Sequence, residues 1–192
     1  MSQAVAVFRT KEIEGDIVVS EHKRGIKLVA TFTKLPKGKH GFHIHRAGDL
    51  RGEGCQGLCE HYDLGHHEHG GPPDSNEDSR GHGLPLQRHT GDLGNIELTG
   101  DSCEYEYFLP NVHVRDLWGR SIIVHEDEDD LGKGPFEDSK ITGHAGKRMG
   151  CAIFGRTACK TAGTDGKTAI TDGKTANKKT KSKTRKHRHS TP

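Results

Sequence analysis

Eight short runs rich in β-branched and aromatic residues recur along the chain: AVAVFR (4–9), DIVVSEH (16–22), IKLVATFT (26–33), KHGFHIH (39–45), GNIELT (94–99), SCEYEYFL (102–109), RSIIVHE (120–126) and CAIFGR (151–156). Several alternate apolar and polar residues, and Gly, Pro, Asp and Asn punctuate the gaps between them. That period and that punctuation predict strands joined by turns, and helix signals are scarce. The expected class is all-β, an antiparallel sandwich or barrel of about eight strands. Two stretches, roughly 46–93 and 126–149, interrupt the pattern. Loops of that length are uncommon and usually functional.

Hydrophobic residues make up 30% of the 192 and aromatics 5%. That is little for a compact domain of this length, so part of the chain adds nothing to a core. Charge identifies the part. Residues 1–159 carry 19 Lys+Arg against 25 Asp+Glu, a net of −6, whereas residues 160–192 carry 10 against 2, a net of +8. In the second segment TDGKTA (164–169) recurs at 171–176 and NKKTKSKTRKHRHSTP follows. Thr, Lys, Gly and Asp without apolar periodicity cannot repay the entropy of ordering, so 160–192 is expected to be a disordered basic tail on a 1–159 domain. No apolar run approaches 18 residues, and the N-terminal MSQAVAVFRTKEIEG lacks the basic start and apolar stretch of a secretory signal. The expectation is a cytoplasmic protein, not secreted and not in a membrane. Five cysteines form no CxxC pair, which argues against a zinc knuckle or a thioredoxin-like site.

Histidine is the unusual residue. HYDLGHHEHGG (61–71) holds His61, His66, His67 and His69, with His43, His45, His82, His89 and His125 elsewhere along the chain. His43 and His45 are two apart in a strand run, so both emerge on one face. Alone, such a pair is as well read as polar residues on a solvated face, and a lone His125 ending SIIVH as plain surface. Together with His61 they supply four imidazoles, and nitrogen-rich tetragonal surroundings suit Cu(II). His69, in HGG, and His89 and Asp92, in HTGDLGN, lie among glycines that permit tight turns. Three imidazoles and one carboxylate with no open position describe a structural zinc site.

The order of these motifs resembles the copper/zinc superoxide dismutase family. The matching stretches are GFHIH (41–45), GDLRGEGC (48–55), HGGP (69–72), RHTGDLGN (88–95), GRSIIVHEDEDDLGKG (119–134) and TGHAGKRMGCAIFG (142–155), and the likeness spans residues 4 to about 156. It is of the cytosolic type and suggests a viral member, placed in a host cytosol or a virion. The resemblance implies an eight-stranded Greek-key barrel and an oxidoreductase with one copper and one zinc per chain. The substrate would be superoxide, converted to O2 and H2O2 by alternate reduction and reoxidation of the copper. Copper would be held by His43, His45, His61 and His125, and zinc by His61, His69, His89 and Asp92, with His61 bridging the two. Asp129 would link a copper-ligand histidine to a zinc-ligand histidine, Arg148 would receive the anion beside the copper, and Thr142 would narrow the channel. Cys55 and Cys151 would form the intrasubunit disulfide, with Cys59 as a rival partner and Cys103 and Cys159 as plain thiols.

The chain also departs from the family pattern. The 19 residues between His69 and His89 exceed the usual spacing, and His82 within them has no counterpart. Ile141 and Asp127 stand where lysine is common, which leaves Lys140 and Lys147 as steering cations around Arg148. The resemblance implies a homodimer, with Trp118, Gly119 and Phe154 as apolar contacts, although Arg156 and Ala47 replace apolar bulk. A copper chaperone is a further partner to expect, and the tail is suited to nucleic acid or other polyanions. A metal-handling relative without catalysis is the main alternative. Such relatives usually lack a copper ligand or the arginine, and all of these are present here.

Overall fold

A computed structural model describes residues 3–72 and 87–158; the basic tail, His82 and Cys159 lie outside the described residues. Among the described residues, nine strands form two antiparallel sheets. They are β1 (Gln3–Arg9), β2 (Glu14–His22), β3 (Gly25–Lys34), β4 (Lys39–His45), β5 (Asp92–Glu97), β6 (Cys103–Pro110), β7 (Ser121–His125), β8 (Arg148–Ile153) and β9 (Gly155–Arg156). One sheet has the order β6-β3-β2-β1-β9 and the other β5-β4-β7-β8. The expected all-β antiparallel fold is what the chain adopts. The ninth strand arises because the expected final run divides at Phe154, where the chain leaves β7 and crosses to pair Val5 with Gly155. Two one-turn helices escaped the reading, α1 (Val114–Leu117) and α2 (Ser139–Thr142), each too short for a helical period to show.

The core lies between the sheets. Phe8 and Phe32 reach in from the first sheet and Phe42 from the second, with successive ring centroids 5.8 and 5.6 Å apart. Ile17, Leu28, Ile44, Ile96, Ile122 and Val124 fill the space around them with no exposure. Phe154, expected at a subunit contact, points into this core instead, at 1% exposure. Trp118 stays half-buried at the surface with the Arg156 guanidinium 3.9 Å over its ring.

The two long loops leave the second sheet at opposite ends. One runs from the His45 end of β4 to β5 and the other from the His125 end of β7 to β8, His45 lying opposite Ser121 at the far end of β7. Both fold back over the face of that sheet turned away from the core, where Cys59 O meets His45 and Asp129 meets His43. Beneath the first, Cys55, Leu58 and Ile123 make a small second apolar cluster, with Cys151 and Ile153 against it. Cys55 and Cys151 form the disulfide, 96 residues apart in sequence and 6.0 Å between Cα atoms. Cys59 is an exposed free thiol and Cys103 a half-buried one.

Tying the first loop to β8 removes the entropy of a long loop from the unfolded chain. Cys55→Ser should lower the unfolding free energy of the metal-free protein by roughly 4–5 kcal/mol on the chain-entropy account. Denaturant titration of the variant against the parent measures the difference.

Candidate metal centre

Alternation along β4 fixes where the site lies. Phe42 and Ile44 enter the core, so His43 and His45 share the opposite face, where they are 0% and 1% exposed. The solvated-face alternative fails because the long loops cover that face. After the short turn Gln56–Leu58, the chain runs back beside β4: Ala47 N–H donates to Leu58 O, Arg46 N–H to Glu60 O and Tyr62 N–H to Ile44 O. This return sets His61 opposite His45 and brings its ring to 4.2 Å from His43 and 4.8 Å from His45, centroid to centroid. His125 ends β7 beside a register shift between Val124 and His125, the kind of irregularity that re-aims a side chain. Its ring lies 4.8 Å from that of His43.

Each of these four rings has one nitrogen fixed by an oxygen. His43 Nε2 meets Asp129 Oδ2 at 2.8 Å, His45 Nδ1 the Cys59 carbonyl at 2.9 Å, His61 Nδ1 Asp92 Oδ1 at 2.8 Å and His125 Nδ1 the Gly146 carbonyl at 3.2 Å. A ring whose N–H donates on one side keeps a lone pair on the other. Those other atoms, His43 Nδ1, His45 Nε2, His61 Nε2 and His125 Nε2, are buried and find no hydrogen-bond partner. One ligand atom from each residue lies within 4.8 Å of the rest. Burial keeps the rings neutral: His43 and His45 fall well below the usual histidine range, with the neighbouring His61 adding to the effect, and His125 falls to about 4. Four neutral imidazoles turned toward one point form a nitrogen set for a metal such as copper.

A second set adjoins the first through His61. The Nδ1 atoms of His61, His69 and His89 lie 2.8, 3.0 and 3.2 Å from Asp92 Oδ1. Asp92 Oδ2 accepts from the Gly70 and His89 amides, each at 3.0 Å, which aims Oδ1 at the rings. Burial opposes charge on Asp92, but bonds from the three rings hold it far below the usual carboxylate range. Burial likewise opposes charge on His69, yet Asp129 and Asp92 outweigh it and lift the ring to about 9. A closed set of three nitrogens and one carboxylate fits zinc.

Asp129 joins the two sets: Oδ2 meets His43 Nε2 and Oδ1 meets His69 Nε2, both at 2.8 Å. Gly143, at φ +70°, lies so close to this contact that any side chain there would strike Asp129 Oδ1 and His69 Nε2. Arg148 opens β8 and is half-buried; Nη1 donates to the Cys55 carbonyl at 2.9 Å and Nη2 to that of Cys59 at 2.6 Å. Cys59 O therefore anchors both Arg148 and His45. Thr142 sits at the end of α2 with its hydroxyl on Asp138. His66 and His67 belong to neither set: His66 is exposed, and the half-buried His67 donates to Asp63 at 2.9 Å.

The family model for copper/zinc superoxide dismutase matches residues 13–154. The chain belongs to that family. Superoxide dismutase (Cu-Zn) 5 of Dictyostelium discoideum is 38% identical over 156 residues, covering 78% of this chain and 95% of the relative. A superoxide dismutase (Cu-Zn) of Paramecium bursaria Chlorella virus 1 is 38% identical over 157 residues, covering 79% and 77%. Among solved structures, the clock protein EA4 superposes with a TM-score of 0.66 at 33% identity, over 80% of this chain and 93% of that one. Membership makes the chain an oxidoreductase that uses one copper and one zinc, and the two donor sets offer a place for each.

Asn95 is a part of this superoxide dismutase that the sequence reading passed over. Its amide donates to Asp129 O at 2.8 Å and its carbonyl oxygen accepts from Asp129 N–H at 2.7 Å. Only its place in the GDLGN motif could have flagged it. Asn95→Ala removes both bonds, each worth about 1 kcal/mol. The Asp129 amide should then exchange roughly thirtyfold faster by hydrogen–deuterium exchange, with the core strands unaffected.

Proposed function

We propose that this superoxide dismutase holds copper through His43, His45, His61 and His125 and zinc through His61, His69, His89 and Asp92, with His61 shared. The observation that carries the reading is the set of four buried imidazole nitrogens without partners. Copper supplies the one-electron exchange that converts two superoxide ions to O2 and H2O2, and zinc supplies charge and fixed geometry without electrons. His61 faces one set with Nε2 and the other with Nδ1, so Nε2 is the atom placed to hold a proton and release it toward the forming peroxide. Asp129 orients His43 and His69 together, as carboxylates behind metal-binding histidines do.

Arg148 is the residue for the anion. Its guanidinium keeps its charge and presents a fixed fork of donors. The carbonyls of Cys55, Gln56 and Cys59 hold it in place. The Arg148 charge also acts on His45 and His125, in each case helping burial and His61 to keep the ring neutral. Thr142 borders the approach to Arg148 in this reading. The catalytic domain is residues 1–159.

The partners in this reading are a second copy of the chain, a copper chaperone that loads the metal, and polyanions bound by 160–192 through its net charge of +8. No helix among the described residues is long and apolar enough to cross a membrane. The similarity to the Chlorella-virus enzyme supports a place in the cytosol of a host or in a virion.

His125→Ala should abolish superoxide consumption while zinc stays near one per chain by elemental analysis; full activity in that variant would overturn the copper assignment. Deleting 160–192 should leave turnover unchanged and weaken binding to a polyanion such as heparin, most strongly at low salt. Loss of activity on that deletion would place the tail within the catalytic domain.

A further inference from the structure

The zinc-side turn rests on an arginine that lies outside both donor sets. Arg88 is 6% exposed, although a buried charge is costly unless its donors are engaged. From Nη1 it donates to the carbonyls of His89 at 2.8 Å, Thr90 at 3.4 Å and Asp92 at 3.1 Å. Three carbonyls of one short turn therefore converge on a single cation. The turn closes on itself through Asp92 N–H donating to His89 O at 3.2 Å. Drawing these carbonyls to one side turns the His89 and Asp92 side chains to the other, toward His61 and His69.

The other end of the long segment meets the same place. Gly70 packs on Arg88 so closely that a Cβ at residue 70 would come within 2.9 Å of Arg88 Cβ. The Gly70 amide also holds Asp92 Oδ2 at 3.0 Å. Asp92 is thus gripped at its carbonyl by Arg88 and at its carboxylate by the residue packed against Arg88.

We propose that Arg88 is a positioning residue for zinc: with Gly70 it forms a neck that sets the orientation of His89 and Asp92. Because Arg88 carries positive charge, its proximity alone would oppose a second cation. Its contribution is the geometry it imposes on three carbonyls. The inference rests on the zinc assignment above, and two readouts separate them.

Arg88→Met keeps the length of the side chain and removes the donors. In the full-length metal-free chain, amides of Thr90–Asp92 should exchange faster than in the parent while the melting midpoint changes by only a few degrees. In competition with a chromophoric chelator, zinc affinity should fall about 10–100-fold. Co(II) placed at the zinc position should give an altered d–d spectrum. Gly70→Ala, which pushes on Arg88 from outside, should shift exchange and zinc affinity in the same direction and covers the case in which Arg88→Met does not fold. Unchanged exchange at Thr90–Asp92 in the variants would overturn the role of Arg88 whether or not zinc binds. So would a zinc loss matched by melting of the whole metal-free chain. A parent chain that takes up no zinc would instead remove the zinc assignment, with the exchange data still deciding whether Arg88 holds the turn.

Discussion

Four imidazole nitrogens buried without partners are the constraint around which the rest of the structure is arranged. An unsatisfied buried polar atom costs about 1–3 kcal/mol, so a chain that collects four of them in one place needs a rigid frame. The core of Phe8, Phe32 and Phe42 supplies rigidity from one side, and the disulfide and two loops supply it from the other. Each ring is then fixed by a separate oxygen from a separate segment: Asp129, Cys59, Asp92 or Gly146. Removing any one frees a ring to rotate and satisfy itself, and the convergence is lost. A metal held as proposed would satisfy all four at once, which would couple metal binding to stability.

The strands were legible because alternation survives wherever one face is core and the other is not. The same logic put His43 and His45 on one face from their spacing alone. The strand limits slipped where the site itself enters the sheet. Asp92 pairs with His43 and Arg148 with His125, so β5 and β8 start earlier than any hydrophobic pattern could say. Charged residues at strand ends read as loop, because what holds them there is contact with distant residues. Phe154 misled for a related reason: apolar character shows that a side chain is buried, but not whether a core or a partner buries it.

The supporting contacts were the least legible part. Asp129 could be named by its motif, but its two-handed contact with His43 and His69 spans 86 and 60 residues of sequence. Asn95 clasps the backbone of Asp129, and Arg88 gathers three carbonyls. Neither contact produces a periodic signal, since backbone carbonyls carry no sequence identity. These residues can be recognised only once the fold brings the loops together, although they determine whether the recognisable histidines point the right way.

Charge poses the remaining problem for a protein whose substrate is an anion. A body with a net of −6 repels superoxide at long range, so attraction has to arise locally and within about a Debye length. Lys140, one of the two cations expected to help, lies 2.7 Å from Glu68, and the pair largely cancels itself. That contact has a different use. Together with the His69 amide donating to the Lys140 carbonyl at 2.9 Å, it ties the histidine loop to α2 and so to the segment bearing Thr142. Lys147 is exposed and adjoins Arg148 in the chain, with no ion pair among the described residues. Arg148 and Lys147 are the cations at the end of the loop from β7 to β8, and Asp127, whose amide donates to the Ala145 carbonyl, sets a negative charge on the same loop. On the proposed arrangement Arg148 would bind and orient the anion, with Lys147 the expected steering cation that is left without an ion pair among the described residues.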